Sequence, residues 1–463
     1  MTEQTDPTPK DDDADDDFGL PARLFDDVLD AVEAEDAAAL AALLEPLHPA
    51  DVADLLEQID TRDRRALLKL WQGGIDGDIL SELDDNLREE VIESLAPADL
   101  AIAVRDLESD DVVDLVEDLD AEQKEAVLDS LDPVERVAVE KALAYPEYSA
   151  GRLMQVETAR APQHWTVGQM IDYLRSDVSL PDQFYHIILI DARGKPQGYV
   201  TLGRLLSSRR EVPLTDLTED SFRTFHVEDE QGAVAYAFNQ YHLISAPVVD
   251  DDDRLVGVIT IDDAMEVLDE EHDEDILRLA GVGSESELSD SVVETTRQRF
   301  PWLAVNLVTA ILASGVISLF EGTISSLVAL AVLMPIVASM GGNAGTQSLT
   351  VAVRAIATRD LTGSNVWRVL RREIAVGAIN GVVFAVVMGI VGIVWFGSPL
   401  LGVVIGAAMI INLVVAGLAG TAIPVVLEKM GVDPALASGA FVTTVTDVVG
   451  FFAFLGLAAI VLL

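Results

Sequence analysis

Ala435-Leu436-Ala437-Ser438-Gly439-Ala440-Phe441-Val442-Thr443-Thr444-Val445-Thr446-Asp447-Val448-Val449-Gly450 opens a run that stays apolar to Leu463 and carries one ionisable side chain, Asp447. About twenty apolar residues cross a bilayer as a helix, so the run predicts a membrane span. A carboxylate at bilayer depth costs about 3 kcal/mol or more unless it faces protein, water or a cation. Asp447 therefore reads as a position on an ion or proton path, against the alternative of a carboxylate neutralised by a proton or a buried partner. Gly439, Thr443 and Asp447 share one face of that helix at four-residue spacing.

Toward the N-terminus, apolar stretches of spanning length recur at 300–320, 324–353, 374–396 and 400–427, which with 435–463 makes five spans. The loop after the second holds Arg354, Arg359, Arg368, Arg371 and Arg372, whereas Phe396-Gly397-Ser398-Pro399 after the third holds no basic residue. The positive-inside rule then places the Arg-rich loop and the soluble part in the cytoplasm, and the C-terminus outside the cell membrane. The second stretch contains Pro335 and Met340-Gly341-Gly342-Asn343-Ala344-Gly345-Thr346-Gln347-Ser348. Glycine and proline at this density predict a broken helix whose freed carbonyls line a cavity, with close packing through small residues as the alternative. No Lys follows in the spacing of a phosphate loop. Asn412, Gly417, Gly420 and Pro424 in the fourth stretch, and Ser438, Gly439, Thr443 and Thr444 in the fifth, add small and polar positions.

The chain holds 79 acidic and 30 basic residues, a net charge of -49. Beyond residue 300, Arg354, Arg359, Arg368, Arg371, Arg372 and Lys429 cancel Glu321, Asp360, Glu373, Glu428, Asp433 and Asp447, so the excess belongs to residues 1–300. All these acids except Asp447 fall at span ends or in loops. So acidic a soluble part excludes nucleic acid, whose phosphates need a basic patch, and suits cations as partners. Spread acids with few lysines describe a surface adapted to high salt, which screens self-repulsion, and a halophilic archaeon is the expected source. In such a surface an acidic cluster can be no more than a solvated face. The absence of Cys excludes disulfides and thiolate metal sites.

Residues 1–19 read as a disordered acidic tail without the basic start and apolar core of a signal peptide. Residues 20–145 follow helical periodicity with a loose repeat. Leu47-His48-Pro49-Ala50-Asp51-Val52-Ala53-Asp54-Leu55-Leu56 returns as Leu95-Ala96-Pro97-Ala98-Asp99-Leu100-Ala101-Ile102-Ala103-Val104, with weaker echoes at 107–116 and 131–139. Stacked helical hairpins, an all-α superhelical domain, are expected, because one repeat cannot bury its apolar face alone. Residues 146–270 change to strand and helix units that occur twice. His186-Ile187-Ile188-Leu189-Ile190-Asp191 with Gly198-Tyr199-Val200-Thr201-Leu202 begins one; Ala246-Pro247-Val248-Val249-Asp250 with residues 255–261 begins the other. Asp269-Glu270-Glu271-His272-Asp273-Glu274-Asp275 then leads a connecting helix over 271–299 into the membrane domain at 300–463. Glu271, Glu274 and Asp275 lie at helical spacing, where like charges repel unless a cation sits among them. Magnesium suits all-oxygen carboxylate and water shells, and an acidic linker is the other reading.

The paired units resemble CBS domains, which imply an α/β pair with an adenine nucleotide such as ATP in the cleft between them. Gly257-Val258-Ile259-Thr260-Ile261-Asp262-Asp263 matches the family's ribose-contacting pattern at Thr260 and Asp263, while Arg204 stands at the aspartate position of the first copy. Across nearly the whole chain, the helical repeats, CBS pair, acidic helix and five spans resemble the MgtE family of magnesium channels and transporters. The specific motifs are Gly341-Gly342-Asn343-Ala344-Gly345-Thr346-Gln347-Ser348, Gly431-Val432-Asp433-Pro434-Ala435-Leu436 and Thr446-Asp447-Val448-Val449-Gly450. The resemblance implies a homodimer that takes up Mg2+ through a pore lined by the fifth spans, with Asp447 as the pore aspartate. Asn343 and the carbonyl side of Thr443 are the next contacts expected to reach the ion's water shell. It further implies a cytoplasmic magnesium sensor that closes the pore, carried here by Asp263, Glu271, Glu274 and Asp275, then Glu266 and Asp269. In the helical domain it maps to Asp99, although Ile102 stands where a neighbouring acid is expected. The rival readings are a carrier of Mn2+ or Co2+, a membrane-anchored nucleotide sensor, and an intramembrane aspartyl enzyme. The last would want a second carboxylate close to Asp447, and the chain is read as no enzyme.

Overall fold

The computed structural model describes residues 20–71, 73–95, 97–117, 119, 121–176, 180–181, 183–219, 222–282 and 292–463. The expected acidic tail lies outside them. The chain forms two compact units, Met1–Glu270 and Glu271–Leu463.

The first unit begins with helices between Ala22 and Ala142. The helices that start at Thr61, Asp85, Ser109 and Pro133 recur every 24 residues, so the sequence repeat covers two copies of a shorter one. Leu55, Leu56, Leu67, Leu80, Leu87, Leu115 and Val116 are buried in one continuous core, as stacked repeats require. A second tie comes from arginine. Arg64 and Arg88 are 5 % and 4 % exposed, and a buried guanidinium is tolerated only when its donors are used. Arg64 donates to Leu56 O (2.8 Å), Ile59 O (3.1 Å) and Glu90 (2.8 Å). Arg88 donates to Leu83 O (3.1 Å), Ser81 O (3.2 Å) and Asp114 (2.7 Å). Each arginine closes the carbonyls of the turn before it and pairs with an acid of the next repeat. The corresponding position of the following repeat is Val112.

Two three-stranded sheets follow, β1 (Arg160–Pro162), β2 (His186–Ile190) and β3 (Pro196–Thr201), then β4 (Phe225–His226), β5 (Ser245–Val249) and β6 (Leu255–Thr260). In each the first pairing is parallel and the second antiparallel. β1 and β4 are the additions to the expected strands. The two units meet at matching register positions, where His186 Nδ1 lies 2.5 Å from Ser245 Oγ. After β6 a single helix, Ile261–Ala280, runs without interruption, since it contains neither Gly nor Pro. The separate connecting helix expected over 271–299 is thus divided differently. Its first part belongs to this helix, 283–291 lies outside the described residues, and its end opens the helix Val292–Ser318.

Five helices of the second unit are long and apolar enough to cross a membrane: Val292–Ser318, Ala329–Ala357, Val366–Phe396, Pro399–Lys429 and Pro434–Val461. The fourth is the central one and packs on the second, third and fifth. The second remains helical through Pro335 and the glycine run, so the expected break does not occur. The glycines serve close approach instead. A Cβ on Gly345 would stand 2.6 Å from Val442 of the fifth helix, and one on Gly420 would stand 2.5 Å from Gly345 O. Gly341 meets Asn412, which is fully buried and donates from Nδ2 to Val337 O (2.8 Å), so a polar side chain pins the second helix to the fourth. Gly345→Ala should lower membrane-domain stability by about 1–3 kcal/mol through overpacking. Gly342→Ala, with nothing within 4 Å of the new Cβ, should leave it unchanged. Thermal unfolding in detergent compares the two, and equal midpoints would refute the packing role.

Candidate metal centres

The first cluster forms where the repeat lacks its arginine. Ser109, at the start of the helix Ser109–Glu117, donates from Oγ to Glu157 Oε2 (2.7 Å) and accepts from Val156 N (2.8 Å). Gln155 is buried, exchanges backbone hydrogen bonds with Val258 of β6 (both 2.9 Å), and donates from Nε2 to Glu108. These contacts hold Glu108, Asp110 and Asp111 against Asp263 in the first turn of the helix Ile261–Ala280. Asp263 Oδ2 is itself fixed, accepting from Thr260 Oγ1 (2.5 Å) and Thr260 N (3.2 Å).

Burial and mutual repulsion act on all four in the same direction. Burial, followed by the charges of Asp263, Asp111 and Glu108, pushes the Asp110 carboxyl well above its ordinary value. Burial, then Asp263 and Glu108, raises Asp111 to about 7; burial, opposed by the Thr260 hydroxyl and reinforced by Asp262, raises Asp263 to about 6. Glu108 is raised by burial, despite the Gln155 hydrogen bond, with Glu157 and Asp263 adding to the shift. Glu266, one turn along, keeps an exposed surface. Crowding by protein, then Asp114, Glu270 and Asp263, raises it, and Arg88 offsets part of that. Arg88 is already paired with Asp114. The carboxylates around Asp263 therefore call for protons or a hard cation.

A second group lies at the far end of the same helix. Arg278 pairs with Glu274 (2.7 Å) and with Asp433 (2.9 Å), and Asp433 Oδ1 accepts from Ala435 N (2.7 Å) at the start of the fifth long helix. Asp275 is half-buried, and burial, then Asp433, raises its carboxyl. Here the cation is supplied from within. Asp269 and Glu271 are exposed.

In the membrane domain Asp447 is half-buried on the fifth helix and, among the described residues, forms no hydrogen bond or ion pair. Gly345 touches Thr446 as well as Val442, which brings the glycine run beside Asp447. Asn343 and Thr443 are exposed in the single chain; Asn343 Nδ2 reaches Ser339 Oγ at 3.4 Å, and no hydrogen bond joins it to Asp447. The Thr443 carbonyl accepts from Thr446 Oγ1 (3.0 Å) and so is already engaged within the helix.

Of the residues expected from sequence, the structure brings Asp263 and Glu266 into one acidic neighbourhood and Glu274 and Asp275 into another. Asp99, on the helix Pro97–Ala103, is not among the acids that press most strongly on Asp263, Asp110 or Asp111. Sequence reasoning missed Glu108, Asp110, Asp111, Asp433 and the paired Arg278. The one signal that could have found the first three is the Val112 interruption of the arginine series. Among the described residues no three His, Asp or Glu side chains converge as a ready-made metal shell.

Residues 334–457 match the model of the MgtE divalent cation transporter family, 47–148 that of the MgtE intracellular N domain, and 214–270 that of the CBS domain. The chain is 32% identical over 381 residues to the magnesium transporter MgtE of Bacillus subtilis, covering 82% of this chain and 84% of that protein. It is 33% identical over 321 residues to the magnesium transporter MgtE of Enterococcus faecalis, covering 69% and 71%. The crystal structure of the cytosolic domain of the Mg2+ channel MgtE in complex with ATP aligns at 27% identity with a TM-score of 0.49, covering 52% of this chain and 99% of that one.

Raised carboxyls mean that the folded state holds protons the unfolded state has lost. The cluster's penalty is thus absent below the ordinary value of 3.8, grows as pH rises, and is complete above about 7 for Asp111. Asp111→Asn should raise the thermal midpoint in divalent-free buffer at about pH 8 and hardly change it at about pH 4. Millimolar Mg2+ should stabilise the native chain more at the higher pH, where the ligands are deprotonated. Equal shifts at both pH values would count against the cluster.

Proposed function

The chain belongs to the MgtE family of divalent cation transporters, and on that footing we propose that it carries Mg2+ across a cell membrane, through a pore closed by Mg2+ bound to its soluble part. The observation that carries the pore assignment is Asp447, an acid on a spanning helix with no counter-charge beside it among the described residues. Two chains related by a two-fold axis would set a pair of Asp447 carboxylates around one hydrated ion. The polar positions Ser339, Asn343, Thr346 and Thr350, exposed along one face of the second helix, would then border that water-filled path. Magnesium sheds water reluctantly, so such a path needs few direct ligands. With the Arg-rich loop and the soluble part in the cytoplasm and the C-terminus outside, a negative interior drives entry at about 2.3 kcal/mol per elementary charge per 100 mV.

The sensing part of the proposal rests on the acids at Asp263 and along the helix Ile261–Ala280. A cation among Glu108, Asp110, Asp111 and Asp263 removes their repulsion and holds the Ser109–Glu117 helix on the second CBS unit. Loss of the ion when internal Mg2+ is scarce restores the repulsion and releases that contact. Glu266 extends the cluster, and Glu274 and Asp275 with Asp433 form a further station that Arg278 occupies in part. Asp269, Glu271 and Asp99 remain at its margin. An adenine nucleotide between the CBS units belongs to the same reading, with Thr260 and Asp263 in the ribose-contacting positions of the second unit. Arg204, held by Glu219 (3.1 Å), replaces the aspartate of the first, which favours one nucleotide per chain.

In proteoliposomes Asp447→Ala should cut Mg2+ flux by about tenfold or more, given the cost such a carboxylate represents. Undiminished flux with normally folded protein would falsify the pore assignment. For the sensor, millimolar Mg2+ should protect the segment around residues 105–119 from protease in the native chain and not in Asp111→Ala. Protection that is identical in both removes the basis for that site.

A further inference from the structure

Glu373 lies about two turns inside the helix Val366–Phe396, ahead of residue 374, where the apolar stretch begins. Its Oε2 accepts a hydrogen bond from Ser348 Oγ of the second long helix (2.9 Å). Among the described residues it forms no ion pair, although Arg371 and Arg372 are its chain neighbours. The carboxylate borders a pocket of about 160 Å³ whose lining includes Gln347, Ser348, Asn380 and the bare backbone of Gly417. A Cβ on Gly417 would stand 2.7 Å from Glu373 O, so the fourth helix gives way there for the segment that carries the acid. Ser348 is one turn from Gly345, whose other neighbours are Val442 and Thr446. The second helix therefore has a carboxylate on each flank, Asp447 in mid-span on the fifth helix and Glu373, at the start of the apolar stretch, on the third.

We propose that Glu373, with Ser348, Gln347 and Asn380, forms a second cation site, at one end of the third span, that takes a partly hydrated divalent cation. It offers one carboxylate and neutral oxygens, the donor set that hard cations use. A water takes about 30 Å³, so the pocket has room for about five, an ion with most of its shell. An acid at a span end with no counter-charge among the described residues is a candidate functional position, and this one has a cavity to act in. The site rests on the transport reading, as a station beside the Asp447 path.

Carbodiimide labelling of the full chain in detergent, read by peptide mass spectrometry, reports Glu373 and Asp447 separately in one digest. Labelling of Glu373 should fall several-fold in millimolar Mg2+ relative to choline at equal ionic strength. Ser348→Ala should shift the protecting Mg2+ concentration several-fold upward without moving the protection of Asp447, and Glu373→Asp should retain part of it. Equal labelling of Glu373 with and without Mg2+, or none in either condition, overturns the proposal. Equal protection by Na+ overturns the divalent assignment. Loss of Mg2+ protection at Asp447 alone would instead refute the pore reading.

Discussion

Carboxylates packed together out of water, with no lysine or arginine among them, are the constraint from which the rest of the soluble unit follows. Asp110, Asp111 and Asp263 are each raised by burial and by neighbouring charge, so their charged forms are disfavoured together. Such a cluster is costly in its charged form, and a repeat protein has an easy way to avoid the cost, as Arg64 and Arg88 show in the two preceding repeats. The departure comes at Val112, where the helix meets the second CBS unit through Ser109 and Gln155. No arginine of the repeat series stands at that position, and in the proposed reading a cation from solution would take its place.

The membrane unit solves a different problem, the positioning of a polar path among apolar helices without the hydrophobic effect to drive them together. Gly341, Gly345 and Gly420 let the second, fourth and fifth helices touch through backbone, and Asn412 adds a buried hydrogen bond to Val337 O (2.8 Å). Close backbone contact is stiff, and a stiff frame is what the proposed ion path, with few direct ligands, would need. The same contacts leave Ser339, Asn343 and Thr346 on an open face of the second helix.

The long periodic elements were legible in sequence because their physics is local. Five apolar runs gave five helices long enough to span, and the short apolar runs at 186–190 and 255–260 gave strands where they occur. β1 and β4, three and two residues long, carry too little pattern to read. The second helix was misjudged because glycine was weighed by its local propensity, whereas Val442 and Gly420 across the interface decide its role. The acidic site was only half legible for a related reason. Asp263 and Glu266 lie on a helix the sequence shows, but Asp110 and Asp111 look like any other acids in a chain with 79 of them. Their distinction is burial against a distant segment, which no local pattern carries. Asp99 has the repeat's sequence signature and is not among the acids that press most strongly on Asp263.

The same contrast bears on how so acidic a chain would respond to a divalent ion in salt, as the proposed reading requires. At about 1 M ionic strength the screening length is about 3 Å, so repulsion among exposed acids is largely quenched by monovalent ions. Acids without water around them escape that screening, because the salt cannot enter between them. Asp110 is 9 % exposed, and its neighbours Asp111 and Asp263 are only partly open. Glu274 and Asp433 have Arg278 as an internal counter-charge, which further lowers the need for an ion from solution. Among the described residues, the repulsion at Asp263 is thus of the kind that high salt would leave standing. In the proposed reading, a divalent cation that displaced protons there would act on a signal that surrounding salt does not erase.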